Sequence, residues 1–142
     1  MTLRAVADTG PLVAILRARE EAHARCVAAL PKLRKPLLTC WPVITEAAWL
    51  LQNEPGGLRA LGRMVESGAL KIIPLDDVAL TWMIAFIERY ATVGAQLADA
   101  AVMYLAESEG VDAVFTLDRR DFSIYRRFDG NAVTIVPDLG PA

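Results

Sequence analysis

An α/β fold, a parallel sheet covered by helices on both faces, is predicted by two observations. Five short β-prone apolar runs recur along the chain and alternate with helical segments. Four acidic residues, Asp8, Glu46, Asp99 and Asp118, each stand where a predicted strand has just ended or a predicted helix begins. In an open parallel sheet such positions meet at the carboxyl edge of the strands, where ligands bind. Carboxylates crowded there repel one another unless a cation neutralises them, so the pattern points to a divalent-metal site.

The elements follow in order. Leu3-Arg4-Ala5-Val6-Ala7 is a β-prone run that stops at Asp8-Thr9-Gly10-Pro11, where Thr9 can cap a helix and Pro11 fits its first turn. A helix over 11–17 follows, then a second over 20–33 with Ala22, Cys26, Ala29, Leu30 and Leu33 at helical spacing. Pro36-Leu37-Leu38-Thr39-Cys40 is the second strand. Pro42 opens a helix to about residue 52, and Asn53-Glu54-Pro55-Gly56-Gly57 breaks it. A helix over 58–67 ends at Gly68. Leu70-Lys71-Ile72-Ile73-Pro74-Leu75 is the third strand, with Asp76 the N-cap of a helix over 78–90. Gly94 separates that helix from the next, over 96–109, which Gly110 closes. Asp112-Ala113-Val114-Phe115-Thr116-Leu117 is the fourth strand, 119–128 a short helical segment, and Ala132-Val133-Thr134-Ile135-Val136 the fifth strand. No repeat, low-complexity tract or linker interrupts the pattern, so residues 1–142 read as a single domain.

That length is enough to bury a sizeable core. An apolar fraction of 54% and a mean hydropathy of +0.33 exceed what such an interior needs. Some apolar surface is therefore expected to meet a partner, with homodimerisation the first candidate. Trp41, Trp49, Trp82 and Tyr90 can serve core or interface, and core is expected for most of them. The apolar stretch 78–87 is too short to span a bilayer, and no signal-peptide pattern opens the chain. A cytoplasmic protein with no membrane partner is expected.

Cys26 and Cys40 lack the spacing of a zinc site or a disulfide framework and read as buried thiols. His23, the only histidine, has no second ligand nearby and reads as a surface helix residue. A net charge of −2 and a pI near 5.4 offer no global basic footprint for nucleic acid. Phosphate can still be engaged locally, and Arg17, Arg19, Arg119 and Arg120 are the candidates, against the plainer reading of solvated helix-end charges.

Each acid has a bland explanation to set beside the metal. Asp8 and Asp118 can both be helix N-caps, Asp118 with Asp121 as its reciprocal partner. Glu46 shares a helical face with Val43, Trp49 and Leu50, an expensive place for a charge without a partner, against the plainer reading of a glutamate at the edge of that stripe snorkelling to water. Asp99 has Val102, Met103 and Ala106 at i+3, i+4 and i+7; the helix dipole favours its charge but does not explain an inward face. Unrelated caps need not gather acids at one sheet edge from both halves of the chain. An all-oxygen set of this kind suits Mg²⁺ or Mn²⁺ and not zinc.

Asp8-Thr9-Gly10-Pro11-Leu12, Thr45-Glu46 before an Ala-Ala-Trp-Leu-Leu run, Leu97-Ala98-Asp99-Ala100-Ala101 and Thr116-Leu117-Asp118-Arg119-Arg120-Asp121-Phe122 resemble the successive motifs of PIN-domain ribonucleases. In particular they resemble the VapC toxins of type II toxin–antitoxin systems, in order and over nearly the whole chain. The resemblance implies a three-layer α/β/α sandwich with a five-stranded parallel sheet of order 3-2-1-4-5. It implies that Asp8, Glu46, Asp99 and Asp118 form the acidic, metal-holding quartet, that Thr9 and Thr116 support it, and that Asp121 is a secondary acid. The implied activity is Mg²⁺- or Mn²⁺-dependent endoribonuclease cleavage leaving a 5′-phosphate and a 3′-hydroxyl. The implied partners are RNA and a cognate antitoxin that can cover the acidic pocket, for instance by inserting an arginine toward the carboxylates.

Rival readings fit less well. A haloacid-dehalogenase-type phosphatase would carry a second Asp where Gly10 stands. A receiver domain would need an acidic pair after the first strand and a lysine near the end of the fifth, and Val136-Pro137 offers none. A P-loop is absent. A non-catalytic PIN-like module binding RNA or protein is the remaining alternative, and the presence of all four acids argues against it.

Overall fold

Three strands have every side chain buried: β1 (Ala5–Ala7), β2 (Leu37–Thr39) and β4 (Ala113–Phe115). A strand sends successive side chains to opposite faces, so burial of all of them requires helices on both sides of the sheet. The computed structural model, which describes residues 2–138, has that arrangement. The sheet is parallel throughout, with β3 (Leu70–Ile72) and β5 (Thr134–Val136) at its edges and the order β3-β2-β1-β4-β5. Register places Ala7 opposite Phe115, so Asp8 and Thr116 leave the central pair of strands side by side. The strand order reverses at that pair, as the predicted topology requires.

Among the described residues seven α-helices connect the strands: α1 (Thr9–Leu16), α2 (His23–Ala29), α3 (Trp41–Leu51), α4 (Gly57–Glu66), α5 (Asp77–Arg89), α6 (Leu97–Ser108) and α7 (Arg119–Ile124). α6 lies against β1, β2 and β4 and carries α5 on its outer side. Ala100, Ala101 and Ala106 give it a small-residue face, and all three are fully buried. α1 packs on α2, α3 and α4. Gly10 marks where α1 passes the end of β4, since a Cβ there would stand 3.3 Å from Leu117 Cβ and Cδ1.

The structure departs from the predicted pattern at several points. The helix expected over 20–33 is α2 followed by a 3-10 turn at Leu30–Lys32, because Pro31 has no N–H to continue the α-helical ladder. The segment expected to be helical over 119–128 stops at Ile124. Its next backbone donors are taken by distant side chains: Arg126 N–H by the Tyr90 hydroxyl at 2.9 Å and Phe128 N–H by Glu107 Oε1 at 2.8 Å. Asp76 caps α5 as expected, accepting from Ala79 N–H at 3.0 Å. Trp41 and Trp49 are 60% and 68% exposed, contrary to the core placement expected for most of the large aromatics, while Tyr90 is buried. His23 is not simply a surface residue: its half-buried ring meets the Ala14 carbonyl at the end of α1 through Nδ1, at 2.7 Å. Cys26 and Cys40 are buried free thiols.

Candidate functional site

A cleft of ≈ 450 Å³ opens at the carboxyl edge of β1 and β4, lined by Asp8, Glu46, Asp99, Asp118 and Asp121 together with Thr9, Gly10, Gln96 and Leu117. All four acids singled out in the sequence, and the secondary acid, therefore share one cavity. Among the described residues no group of three acidic, histidine or cysteine side chains is drawn tightly enough to enclose an ion unaided.

Asp8 stands immediately after β1, its N–H donating to the Phe115 carbonyl at 2.8 Å and its Oδ2 accepting from the Thr116 hydroxyl at 2.8 Å. The helix-capping bond that was the alternative role for its side chain is not made. Burial pushes its carboxyl up to about 6, and the Asp99 and Glu46 charges add to the rise; the Thr9 amide and the Thr116 hydroxyl act against it. Thr116 links two acids at once, because its Oγ1 also accepts the Asp118 N–H at 3.0 Å. Thr9 is buried, with its hydroxyl 3.4 Å from Glu46 Oε2 and 3.5 Å from the Val43 carbonyl. One proton serves one of these acceptors at a time.

Asp99 sits in the first turn of α6 in a capping box: Gln96 N–H donates to its Oδ2 at 3.1 Å, and the Gln96 side chain accepts the Asp99 N–H. The same Oδ2 receives the Tyr125 hydroxyl at 3.2 Å. Its carboxyl is raised first by burial and then by the Asp118 and Asp121 charges. Tyr125 is fully buried among Phe86, Tyr90 and Phe122, and burial together with the Asp99 charge pushes its phenol well above the usual tyrosine range. It stays a donor.

Asp118 caps α7, its Oδ1 accepting Asp121 N–H at 3.1 Å. The reciprocal half of the expected capping box is absent, since Asp118 N–H goes to Thr116 instead. Asp121 thus presents its carboxylate to the cleft, raised by desolvation and by the Asp118 charge beside it. Glu46 differs from expectation. It is exposed, on a side of α3 shared with the exposed Trp49 and Leu50, and reaches the cleft from the rim instead of from a buried apolar face.

The candidate arginines separate into two groups. Arg17 is pinned by Glu20 at 3.0 Å, Glu54 at 3.4 Å and the Leu50 carbonyl, and Arg19 reaches Glu54 at 3.5 Å. Neither lines the acidic cleft. Arg119 and Arg120 line a second cleft that borders it. Sequence reasoning missed Tyr125, Gln96 and Arg25. Gln96 had a signal, its three-residue spacing before Asp99, but Gln is not among the preferred N-caps. Tyr125 and Arg25 had none.

The PIN-domain family pattern matches residues 5–128. The chain is 26% identical over 134 residues to ribonuclease VapC26 of Mycobacterium tuberculosis, an alignment covering 93% of this chain and 99% of that protein. Among solved structures it is similar to M. tuberculosis VapC20, a sarcin–ricin loop cleaving toxin, with a TM-score of 0.73 at 14% identity over 81% of this chain and 90% of that one. It is also similar to a toxin–antitoxin complex from Klebsiella pneumoniae, with a TM-score of 0.64 at 18% identity over 84% of this chain and 90% of that one. FitAcB from Neisseria gonorrhoeae gives 0.63 at 18% identity, over 92% and 94%. The three structures share the fold. With the family pattern spanning most of the sequence and all of its sheet but the edge strand β5, this chain belongs to the PIN-domain family.

Proposed function

We propose that this chain, one domain over residues 1–142, is a divalent-metal-dependent endoribonuclease and the toxin of a toxin–antitoxin pair, working in the cytoplasm. The observation that carries the reading is the gathering of Asp8, Glu46, Asp99, Asp118 and Asp121 around one cleft at the switch point of the sheet. Its relatives, a ribonuclease, a sarcin–ricin loop cleaving toxin and a toxin–antitoxin complex, support the chemistry and the partner.

The donor set fits a hard cation. Every candidate ligand is a carboxylate oxygen, and the Asp8 carboxyl, raised first by burial and then by the Asp99 and Glu46 charges, is one a cation would relieve. Mg²⁺ keeps several waters and takes one or two protein carboxylates, and Mn²⁺ accepts the same ligands. Asp8, Asp99 and Asp118 would hold the ion, with Glu46 at the rim and Asp121 beside them. When bound, the ion supplies an activated water and charge stabilisation at the attacked phosphate. The protein orients the ligands. Thr116 fixes Asp8 Oδ2, while Gln96 and Tyr125 both bind Asp99 Oδ2 and leave its Oδ1 outside those two bonds, so these residues would hold the carboxylates in place for an ion. Homodimerisation through exposed apolar surface and binding of an antitoxin over the acidic cleft complete the reading.

The test is cleavage of a total RNA pool in Mg²⁺ or Mn²⁺, and in EDTA, by the wild type, Asp8→Asn and Asp99→Asn. Wild type is expected to cut only with metal, and both variants to lose about two orders of magnitude or more. Equal cutting by all three removes the assignment. No cutting by any, with RNA still bound, leaves a non-catalytic RNA-binding module.

A further inference from the structure

The acidic cleft ends at Leu117 and Asp118, and a second cleft of ≈ 310 Å³ begins at the same two residues. Its remaining lining is Thr116, Pro137 and three arginines, Arg25 from α2 and Arg119 and Arg120 from α7. They come from parts of the chain nearly a hundred residues apart in sequence, so the fold and not local sequence puts them together. Arg17, Arg19 and Arg127, by contrast, are taken up in ion pairs with Glu20, Glu54 and Asp112. Arg119 is half-buried and held by a bond from its Nη1 to the Pro137 carbonyl at 2.9 Å, which orders the guanidinium without neutralising it. Arg25 and Arg120 are exposed, so a ligand in the cleft can reach both.

From this juxtaposition we propose that the Arg25–Arg119–Arg120 cleft is a backbone-binding subsite for single-stranded RNA, holding a phosphodiester flanking the one presented to the acidic cleft. The inference rests on the nuclease reading for its ligand but not for its physics. A carboxylate-lined cleft repels a polyanion, and a cationic cleft sharing its wall supplies the attraction that brings the strand to it. Guanidinium groups are suited to phosphate because their planar fork donates two parallel bonds. The site also explains how a chain of net charge −2 can hold RNA without a global basic face.

Binding is measured in EDTA, where metal-dependent cutting is off, with a fluorescent oligouridylate of about ten nucleotides as the probe. Arg25→Ala with Arg120→Ala is expected to weaken binding at low salt and to flatten the dependence of log affinity on log salt, by about 0.7 for each phosphate no longer neutralised. Arg25→Lys with Arg120→Lys keeps the charge and most of the slope, and Arg59→Ala on α4 leaves it unchanged. Both mutated arginines are exposed, so the variants are expected to fold, and circular dichroism checks this. An unchanged slope in the double alanine variant overturns the subsite, including the case in which that variant instead loses affinity for a protein partner; an equal loss in Arg59→Ala overturns it as nonspecific. Cleavage with Mg²⁺ is scored separately. A flattened slope without any wild-type cleavage keeps the subsite and removes the nuclease reading, and cleavage with an unchanged slope does the reverse.

Discussion

Asp8 loses water on entering the crevice, and the Thr9 amide and Thr116 hydroxyl compensate only in part. Its folded-state value of about 6 lies above the ordinary 3.8, so the folded protein binds more protons between those limits. Stability therefore falls as pH rises from 3.8 to 6, and the full cost, about 3 kcal/mol by that difference, persists above it. In EDTA, Asp8→Asn is expected to gain roughly 1–3 kcal/mol at neutral pH and almost nothing near pH 3.5, measured by urea unfolding at both. A loss at neutral pH would contradict the electrostatic account. Tyr125 makes a different point. Tyr125→Phe removes one hydrogen bond, costing about 1 kcal/mol of stability, yet it frees Asp99 to rotate. About tenfold weaker Mn²⁺ binding by calorimetry, with a native circular dichroism spectrum, is the expected result, and unchanged affinity would show that Gln96 alone orients the carboxylate.

At the scale of elements, the end of β4 does the joining. Thr116 donates to Asp8 across to β1 and accepts from Asp118 toward α7, so one hydroxyl ties two strands and a helix start to the same cleft. Thr116→Val keeps the shape and breaks both bonds. A stability loss of about 1–3 kcal/mol and a large loss of metal-dependent cleavage are expected, with Thr116→Ser retaining most of both; a valine variant as active as wild type would disprove the link. Strand positions and the starts of α5 and α6 were legible because they rest on local chemistry, such as Asp76 capping α5, whereas α1 begins at Thr9, ahead of the predicted start at Pro11, with Asp8 and not Thr9 at its N-cap position. The ends of α2 and α7 were less so. Pro31 was visible in the sequence, but helical spacing on both sides masked it, and α7 ends where Tyr90 and Glu107 capture backbone donors.

For the whole molecule, the high apolar content has a visible outlet. Trp49, Leu50 and Glu46 share one exposed side of α3, and Trp41, also exposed, stands at the start of the same helix. Placing this ridge in a homodimer would set the interface beside the acidic cleft. Light scattering on the purified chain is expected to give a dimer, and Trp41→Glu with Trp49→Glu a monomer of 15.5 kDa. A wild-type monomer at micromolar concentration would remove that part of the proposal.

By itself the sequence determined the alternation of strands and helices and which acids stand at their junctions. Local periodicity, turn residues and caps are properties of neighbours in the chain, and the ordered motifs added the family and the sheet order. Only the tertiary structure decided how those acids are held and who stands beside them. Asp8 meets a hydroxyl 108 residues away, and Asp99 one 26 residues away. Glu46 turned out to be exposed, Arg17 and Arg19 to be bound to Glu54, and Arg25 to join Arg119 and Arg120. These outcomes depend on which distant side chains folding brings into reach, and no local pattern encodes a partner it does not touch.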